Sequence, residues 1–538
     1  MQWNNELAID RYYIDDNEGH EGLATRVGTF VANGDKQWVD PFTKAILDMK
    51  FIPGGRILRN AGRPKGGLIN CYARQIPDHI EGIAQVVAEC MILNAEGGGV
   101  GLDASLLRPK GDPIKGKGGS ASGPLSWLKI INTSSGVIET GGQRRAALLA
   151  LLSVRHPDIE KFIDAKTQGR ILSNFNISVG ITKSFIKAVE EDDEWDLVFR
   201  DKVYSKVRAK ILWDKIVENM LVCAEPGIIN LSNLYKNNSF LVGEPVVCTN
   251  PCGELPLDDG GACCLGSFVL PAFVKDHQMD WKDLDSYVEI GIRFLDSVLD
   301  VNQWTLQINR DKAQGLRRIG LGTMGLADML FLLGIRYGSP SCIEFLDILY
   351  SRIRNTAYRV SVEIAKEKGS FPKYQRMFLD AKFIRTLPRS IYGKIKESGI
   401  RNVTMLTCPP NGTTSLLVDV SSGVEPLFAK AYERSDRYNK KVQIVHPLTE
   451  AGCTEDWFVD SSDITPAEHL EVQAAIQRYV DGAVSKTINV PESCTVDDLS
   501  ADLFSYLPDL KGVTVYRQGS RENQVLTPMT CKSGVCDV

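Results

Sequence analysis

A short segment rich in glycine and proline, TNPCGELPLDDGGACCLGS, carries three cysteines, an amide and a carboxylate between Thr249 and Ser267. Cys252 stands between Asn250 and Glu254, each two residues away. Because side chains alternate along an extended chain, the amide and the carboxylate can face the same way beside the thiol. A carboxylate so placed can act as a general base. Residues of these types at this spacing could carry out thiol chemistry, whereas a turn with a buried structural cysteine is the alternative for Cys252 taken alone.

The composition is that of an ordinary globular protein, with 538 residues of which 43% are hydrophobic and 24% charged. The length allows two to four domains or one large α/β barrel. A formal net charge of −5 argues against a protein that coats nucleic acid. No apolar run approaches a membrane span and the N-terminus lacks a signal-peptide pattern, so we expect a cytoplasmic protein with no membrane partner. The thirteen scattered cysteines and six unclustered histidines predict neither a disulfide framework nor a metal site.

Strands alternate with helices along the chain, which predicts an α/β fold with parallel strands. The segments AALLALLSV and FNISVGI predict buried strands, and long helices are expected at about 281–305 and 341–368. Asp78, followed by Glu81 three residues later, predicts the N-cap of a helix. The segment VTMLTCPPNGTTSLL predicts strand, turn and helix. The last nineteen residues are polar and aperiodic, and predict a disordered tail.

Eight motifs resemble the catalytic chain of ribonucleotide reductase, in the family's order, from about residue 50 to the end of the chain. They are NCYA at 70–73, NPCGE at 250–254, ACCLGS at 262–267, RRIGLGTMGLAD at 317–328, PPNGTTS at 409–415, SSGVEPLF at 421–428, GVTVYRQGSR at 512–521 and a C-terminal Cys-x4-Cys. One such motif would be weak evidence for the resemblance, whereas eight motifs in the family's order are very specific evidence for it. The resemblance implies a ten-stranded α/β barrel with a central finger loop, and reduction of ribonucleotides to 2′-deoxyribonucleotides by thiyl-radical chemistry.

The resemblance also assigns roles to the opening motif. Cys252 would become a thiyl radical at the tip of a loop inside the barrel and take the 3′ hydrogen of the ribonucleotide. Glu254 would act as the base on the 3′ hydroxyl while the 2′ hydroxyl leaves as water. Asn250 would hold the substrate by hydrogen bonds.

Reduction of the sugar needs two electrons, which a pair of thiols can supply by forming a disulfide. The resemblance places these thiols at Cys71 and Cys263. Cys264 departs from the family, which usually has Asn there. Neighbouring residues of a strand point to opposite faces, so only one of the two adjacent cysteines should reach Cys71. We expect Cys263 to do so and Cys264 to pack in the core.

The tail cysteines Cys531 and Cys536 would then reduce the internal disulfide again, with thioredoxin or a similar protein as the external reductant. The 13 or so residues from Gln518 to Cys531 span about 20 Å as a coil and about 43 Å when extended, enough to enter a barrel mouth. A disordered tail with incidental cysteines is the alternative.

Phosphate binding is predicted where PPNGTTS leads from a strand into a helix. Backbone N–H groups at a helix start suit a diphosphate, and the resemblance gives this role to Asn411, Gly412, Thr413, Thr414 and Ser415. On local grounds alone an ordinary helix start would be favoured. The resemblance does not say whether diphosphates or triphosphates are the substrates.

A deoxynucleoside triphosphate effector is the second implied nucleotide. The segment GGQRRAA at 141–147 resembles the loop that passes the effector's identity to the substrate site, with Arg144 and Arg145 as ligands. Surface arginines are the alternative. Asp78 matches an effector-contacting Asp of the family, a role compatible with its N-cap prediction.

The source of the radical distinguishes the classes of the family. The metal-dependent class uses two adjacent tyrosines near the C-terminal strand, whereas this chain has Tyr516 followed by Arg517. The sequence VTVYRQGSR resembles the adenosylcobalamin-dependent class, so adenosylcobalamin is the expected cofactor. The alternatives are the catalytic subunit of a two-subunit metal-dependent enzyme and an inactive nucleotide-binding protein.

Three regions follow from the resemblance: an N-terminal helical region at 1–60, a catalytic barrel at 61–517 and a flexible redox tail at 518–538. We expect no ATP-binding regulatory domain in the first region. The chain lacks the large insertion that lets some relatives act as monomers. We therefore expect a homodimer, with the effector near helices at 79–93 and 125–138.

Overall fold

The structure is a computed structural model of the chain. It describes residues 1–15, 17–114, 118–138, 147–167, 171–435, 441–518, 520 and 526–528. None of the helices formed by these residues has the length and apolarity needed to cross a membrane.

The helices of the described residues range from single turns to the long α14. In chain order the α-helices are α1 (Asn5–Arg11), α2 (Gly19–Ala32), α3 (Lys36–Leu47), α4 (Gly55–Asn60), α5 (Ile80–Ala95), α6 (Pro124–Val137), α7 (Ile159–Ile163), α8 (Lys183–Glu190), α9 (Ala209–Cys223), α10 (Leu231–Leu234), α11 (Trp281–Val301), α12 (Gln307–Leu316), α13 (Leu326–Leu332), α14 (Pro340–Lys368), α15 (Arg389–Ser398), α16 (Thr414–Leu417), α17 (Pro447–Glu450), α18 (Pro466–Gln477) and α19 (Val496–Tyr506). Short 3₁₀ helices span Asn238–Val242, Leu270–Phe273, Arg376–Asp380 and Ile384–Thr386.

The strands are mostly short. They are β1 (Phe51–Pro53), β2 (Cys71–Gln75), β3 (Gly99–Asp103), β4 (Leu148–Ser153), β5 (Phe175–Ile181), β6 (Glu194–Phe199), β7 (Lys202–Arg208), β8 (Gly227–Asn230), β9 (Val246–Thr249), β10 (Pro256–Asp258), β11 (Ala262–Cys263), β12 (Leu265–Val269), β13 (Val274–Lys275), β14 (Gln278–Met279), β15 (Gly320–Met324), β16 (Ala431–Ser435), β17 (Lys441–Val445), β18 (Thr487–Val490), β19 (Gly512–Arg517) and β20 (Leu526–Pro528).

The largest sheet contains eight strands in the order β11-β2-β3-β4-β5-β8-β19-β18. Strands β2, β3, β4, β5 and β8 of this sheet run parallel to one another. At its two ends, β11 pairs antiparallel with β2, and β19 pairs antiparallel with β8. Strands β3 and β4 are almost continuously buried, as expected for parallel strands covered on both faces. The predicted strands AALLALLSV and FNISVGI correspond to β4 and β5.

A second sheet has the order β1-β12-β15, with β12 and β15 parallel. Single bridges from Leu321 to Leu406 and from Cys408 to Val484 lead from this sheet towards β18. The described residues thus form a mixed α/β fold in which isolated bridges connect these two sheets. They do not form the single closed ring of ten strands that the sequence resemblance implied. The segment from Leu406 to Cys408 makes only isolated bridges to its neighbours, so it does not form a strand that would join the two sheets into one ring.

Three local expectations need correction. Helix α5 is capped by His79, whose Nδ1 accepts a hydrogen bond from Gly82 N at 3.1 Å, and not by Asp78. The strand expected in VTMLTC is reduced to bridges, and its helix α16 is a single turn. The tail is not irregular throughout, because β20 pairs antiparallel with β16, the middle strand of the sheet β17-β16-β20.

Candidate active site

The hairpin of β9 and β10 places the opening motif inside the molecule. Thr249 lies opposite Pro256, and a loop of six residues joins the two strands. Asn250 closes this loop, because its Oδ1 accepts a hydrogen bond from Leu255 N at 2.9 Å. Gly253 has φ of 84°, a left-handed conformation that favours glycine at the turn. Cys252 is therefore exposed at the tip.

The hairpin packs directly against β3. A Cβ atom on Gly101 would stand 1.8 Å from the carbonyl oxygen of Thr249, so only glycine permits this approach. Pro251 likewise packs on Gly99, and its carbonyl oxygen accepts a hydrogen bond from Asn176 of β5 at 3.4 Å. The finger carrying Cys252 is thus supported by parallel strands of the large sheet.

Glu254 and Asn250 are buried on either side of Cys252, with exposed fractions of 2% and 0%. Burial raises the pKa of Glu254 to about 7, and the neighbouring Asn250 amide partly opposes this shift. Among the described residues, neither Glu254 Oε2 nor Asn250 Nδ2 has a hydrogen-bond partner of normal geometry. A carboxylate with a pKa near neutrality and an unsatisfied amide are suited to bind and deprotonate a hydroxyl group.

The predicted redox pair occupies adjacent strands. Cys263 of β11 lies directly opposite Cys71 of β2 in the antiparallel register. Such residues have Cα atoms about 4.5–5.5 Å apart, within the range for a disulfide. Burial raises the pKa of Cys263 well above its usual value, and the nearby carboxyl and thiol groups of Glu254, Cys71, Cys264 and Cys252 add to the shift. The carboxylate of Glu254 and the thiols of Cys71, Cys252 and Cys263 therefore lie close to one another.

Cys264 is the single residue between β11 and β12, and its environment differs from that of Cys263. It lies in the main hydrophobic core, and its Sγ donates to the carbonyl oxygen of Leu295 at 3.6 Å. Cys263 lies instead in the small cluster that includes Cys71. This geometry is the one expected from strand alternation, while the redox role of the pair stays a prediction.

The predicted phosphate loop lies beyond the carboxyl ends of β12 and β15. The side chain of Asn411 ties it there, accepting from Ser267 Oγ at 3.1 Å and donating to Thr323 O at 3.0 Å. Asn411 has φ of 55° and its carbonyl oxygen accepts from Ser415 N at 2.9 Å. Gly412 at the turn is exposed.

A cavity of about 210 Å³ borders Cys252. Its walls come from β5, β8, β19 and the segment before β18. The polar lining includes Asn176, Ser178, Lys486, Lys511 and Thr514. Burial lowers the pKa of Lys511 to about 8, and its Nζ donates to Asp481 O at 2.7 Å. The exposed thiol thus faces a space with amide, hydroxyl and ammonium groups.

The predicted effector residues are only partly described. Both carboxylate oxygens of Asp78 accept hydrogen bonds from Arg108, and Oδ2 also accepts from Arg200 at 2.8 Å. Arg144 and Arg145 lie outside the described residues. The tail cysteines, Cys531 and Cys536, also lie outside them.

Two features of the site were missed in the sequence. Ser267 lies within a quoted motif, but its contact with the distant Asn411 appears only in the fold. Lys486 is wholly buried and pairs with Glu425, whose Oε2 accepts from Lys486 Nζ at 3.0 Å. The SSGVEPLF motif contained Glu425, but no local signal pointed to its partner.

The fold and the site together define an α/β enzyme in which a cysteine on a finger loop lies beside a buried carboxylate and an opposed pair of cysteines. Residues 69–516 match the family described as ribonucleotide reductase, barrel domain. The chain belongs to the ribonucleotide reductase family. The predicted reduction of ribonucleotides is confirmed at the level of this family.

Curated relatives extend the comparison. A vitamin B12-dependent ribonucleoside-diphosphate reductase from Mycobacterium tuberculosis is 34% identical, over 96% of this chain and 79% of its own length. A protein of the same name from Thermoplasma acidophilum is also 34% identical, over 92% and 67% of the two chains. A ribonucleoside-diphosphate reductase subunit alpha from Chlamydia muridarum is 25% identical, over 87% of this chain and 50% of its own.

Proposed function

We propose that this chain reduces ribonucleoside diphosphates to 2′-deoxyribonucleotides with adenosylcobalamin as cofactor. The observation that carries the proposal is the position of Cys252, exposed at a finger tip between the buried Asn250 and Glu254. Relatives named as vitamin B12-dependent diphosphate reductases support the cofactor and the form of the substrate. The ten-stranded barrel of the family is part of this proposal.

The substrate ribose lies between Cys252 and the opposed thiol pair. The Cys252 thiyl radical takes the 3′ hydrogen, and the Glu254 carboxylate takes the proton of the 3′ hydroxyl. Asn250 donates to a substrate oxygen through its unsatisfied amide. The 2′ hydroxyl leaves as water with a proton from one thiol, and the second thiol supplies the hydrogen that bonds to C2′. Glu254 then returns its proton to the 3′ oxygen, and the 3′ hydrogen returns from Cys252.

Cys71 and Cys263 supply the two electrons and two protons of the reduction, and become a disulfide. The opposed register supports this role, because a bond between them needs little movement of the backbone. Cys531 and Cys536 then reduce this disulfide by thiol exchange, and thioredoxin or a similar dithiol protein reduces the tail.

The cavity beside Cys252 is our proposed place for the cofactor's reactive part. Its amide and hydroxyl groups, at Asn176, Ser178 and Thr514, suit the hydrogen-bonding edges of an adenosyl group, and the exposed thiol borders the same space. When bound, adenosylcobalamin supplies the one-electron chemistry that oxidises the Cys252 thiol.

The substrate diphosphate binds at the loop of residues 411–415. The exposed Gly412 leaves its backbone open to a phosphate, and the hydroxyl residues Thr413, Thr414 and Ser415 follow it in the loop. Asn411 acts mainly by holding the loop on β12 and β15. A deoxynucleoside triphosphate binds near Asp78, Arg144 and Arg145 at a homodimer interface.

The test is reduction of CDP by dithiothreitol, with and without adenosylcobalamin. We expect dCDP only when the cofactor is present. Product that requires a metal-loaded partner subunit instead would establish the two-subunit alternative, and the absence of product under both conditions would favour an inactive nucleotide-binding protein. CTP in place of CDP tests the form of the substrate.

A further inference from the structure

We propose that the buried ion pair of Glu425 and Lys486 couples the phosphate loop to the Cys252 cavity, so that CDP and adenosylcobalamin bind cooperatively. This inference rests on the proposed function, because it takes those two ligands for these two places. The pair is a positioning device and touches neither reacting atom. A continuous series of contacts connects the two sites through this pair.

The first contacts join the phosphate loop to the segment that carries Glu425. Ser415 Oγ lies 3.1 Å from Ser422 Oγ. A Cβ atom on Gly423 would stand 2.8 Å from Pro409 O, so the segments that contain these two residues are in close contact. Glu425 N in turn donates to Ser422 O at 3.0 Å. A ligand that orders the phosphate loop therefore also orders the segment leading to Glu425.

The second contacts join Glu425 to the start of β18. Its Oε2 accepts from Lys486 Nζ at 3.0 Å, and its Oε1 accepts from Thr487 N at 2.7 Å. The Lys486 side chain has no exposed surface, and His469 Nδ1 lies 2.8 Å from its Nζ. Burial lowers the pKa of His469 to about 2, so the imidazole is neutral and can accept this bond.

The third contacts join the segment before β18 to the finger and the cavity. Ala483 N donates to Glu254 O at 2.7 Å, and Ser485 N donates to Cys408 O at 2.9 Å. Ser485 and Lys486 also line the cavity beside Cys252. A ligand in the cavity thus touches the same short segment that Glu425 holds.

The chemistry of the pair makes this connection stiff. Separating a buried ammonium from its carboxylate leaves an uncompensated charge, which is strongly unfavourable. The segments on the two sides must therefore keep their relative positions or lose the pair. Ordering of one site then favours binding at the other, and the effect is reciprocal by thermodynamic linkage.

Equilibrium dialysis of adenosylcobalamin with and without saturating CDP tests the coupling without turnover, if the protein thiols are first oxidised to disulfides and no reductant is present. For the unmodified protein we expect CDP to lower the Kd of adenosylcobalamin by about fivefold or more, the usual lower range for coupled sites. In Glu425→Gln this factor should approach one. Each ligand bound alone should keep its Kd to within about threefold, less than 1 kcal/mol.

Glu468→Gln is the matched control. Glu468 also pairs with a cation, Arg336, and precedes His469 on α18, but it is outside the series of contacts. We expect its coupling factor to equal that of the unmodified protein. If Glu425→Gln folds poorly, the double variant Glu425→Leu with Lys486→Met replaces the pair by apolar side chains, a change that proteins often tolerate.

Coupling that survives in Glu425→Gln, or in the double variant where Glu425→Gln folds poorly, would overturn the proposal, as would an equal loss in Glu468→Gln. Independent binding of the two ligands to the unmodified protein would also overturn it. That result would leave the proposed function intact, which fails only if adenosylcobalamin does not bind or does not support reduction of CDP.

Discussion

Cys263 lies directly opposite Cys71 across the β11–β2 pair, whereas the adjacent Cys264 is buried in the main core. The antiparallel register brings the first two thiols together although a long stretch of chain separates them. Cys264 instead contacts the backbone of α11. The two neighbouring cysteines therefore have different environments, and their substitution should have different effects.

Replacing either Cys71 or Cys263 by Ser should block multiple turnover with any reductant, because the source of the electron pair is lost. Cys264→Asn, which restores the residue usual in the family, should stay active with dithiothreitol and with thioredoxin. Steady-state formation of dCDP measures both effects. An essential Cys264 together with a dispensable Cys263 would reverse the assignment.

Replacing Cys531 or Cys536 by Ser should separate the two reductants. Dithiothreitol is small enough to enter the site directly, so activity with it should largely remain. Activity with thioredoxin should fall at least about tenfold, because a protein reductant needs the tail thiols as carriers. Equal losses with both reductants would contradict the proposed role of the tail.

Cys252→Ser should abolish formation of deoxynucleotide while the protein stays folded, because one exposed sulfur is exchanged for oxygen. A serine O–H bond is too strong to yield the required radical. The melting temperature and the binding of CDP serve as controls and should be almost unchanged. Measurable turnover by this variant would exclude Cys252 as the radical site.

Gly101→Ala should displace the finger that carries Cys252, because Gly101 of β3 packs against it. The new Cβ would stand 1.8 Å from Thr249 O, and the backbone must shift, at a cost of about 1–3 kcal/mol. We expect lower stability in urea and a loss of turnover larger than the loss of CDP binding. Gly393→Ala is the matched control. A Cβ atom there would meet nothing within 4 Å among the described residues apart from the adjacent backbone of its own helix, and alanine favours helix α15. Similar behaviour of the two variants would show that the finger tolerates movement.

Much of the fold follows from local patterns. Continuous apolar runs predicted β4 and β5, and helical periodicity predicted α11 and α14, because these elements are determined by burial of their own residues. Strand alternation correctly separated the environments of Cys263 and Cys264. The closed ring of ten strands came from the family resemblance and not from a local pattern, and the described residues show two sheets connected by single bridges instead.

The rest of the site depends on contacts between distant segments. Asp78 has the chemistry of an N-cap, but Arg108 and Arg200 occupy its carboxylate and His79 caps the helix. Glu425 and Lys486 are each ordinary residues in their own segments, and only the fold brings them together. Family motifs marked the proposed catalytic residues, whereas the residues that hold them in place had no comparable signal.

The homodimer proposal makes a surface prediction. Helices α5 and α6 expose several apolar side chains, among them Met91, Ile92 and Ile130 at 42%, 43% and 47%. Ile92→Lys should weaken the dimer, because it places a charge in an apolar interface. Ile211→Lys, on the separate helix α9 and 66% exposed, is the control and should leave assembly unchanged. Light scattering at micromolar protein with each deoxynucleoside triphosphate measures the effect, and a monomer under every condition would refute the dimer.

Glu254 should give the protein a characteristic dependence of stability on pH. Burial raises its pKa to about 7, so between its ordinary value and pH 7 the folded protein keeps a proton that the unfolded chain has released. The free energy of unfolding should therefore fall as the pH rises through this window, and the contribution of this group is on the order of 3 kcal/mol. The side chain in Glu254→Gln cannot titrate, so the free energy of unfolding of this variant should lack this fall. Urea unfolding of both proteins at about pH 5 and about pH 8 measures the effect, and the unmodified protein should lose stability relative to the variant at the higher pH.

Turnover should depend on pH in the opposite direction. In the unmodified protein it should rise through about pH 7, because the base must be ionised, and in the variant it should stay low. Parallel stability profiles for the two proteins would mean that Glu254 is already ionised at acidic pH, and would remove the basis for a base of near-neutral pKa.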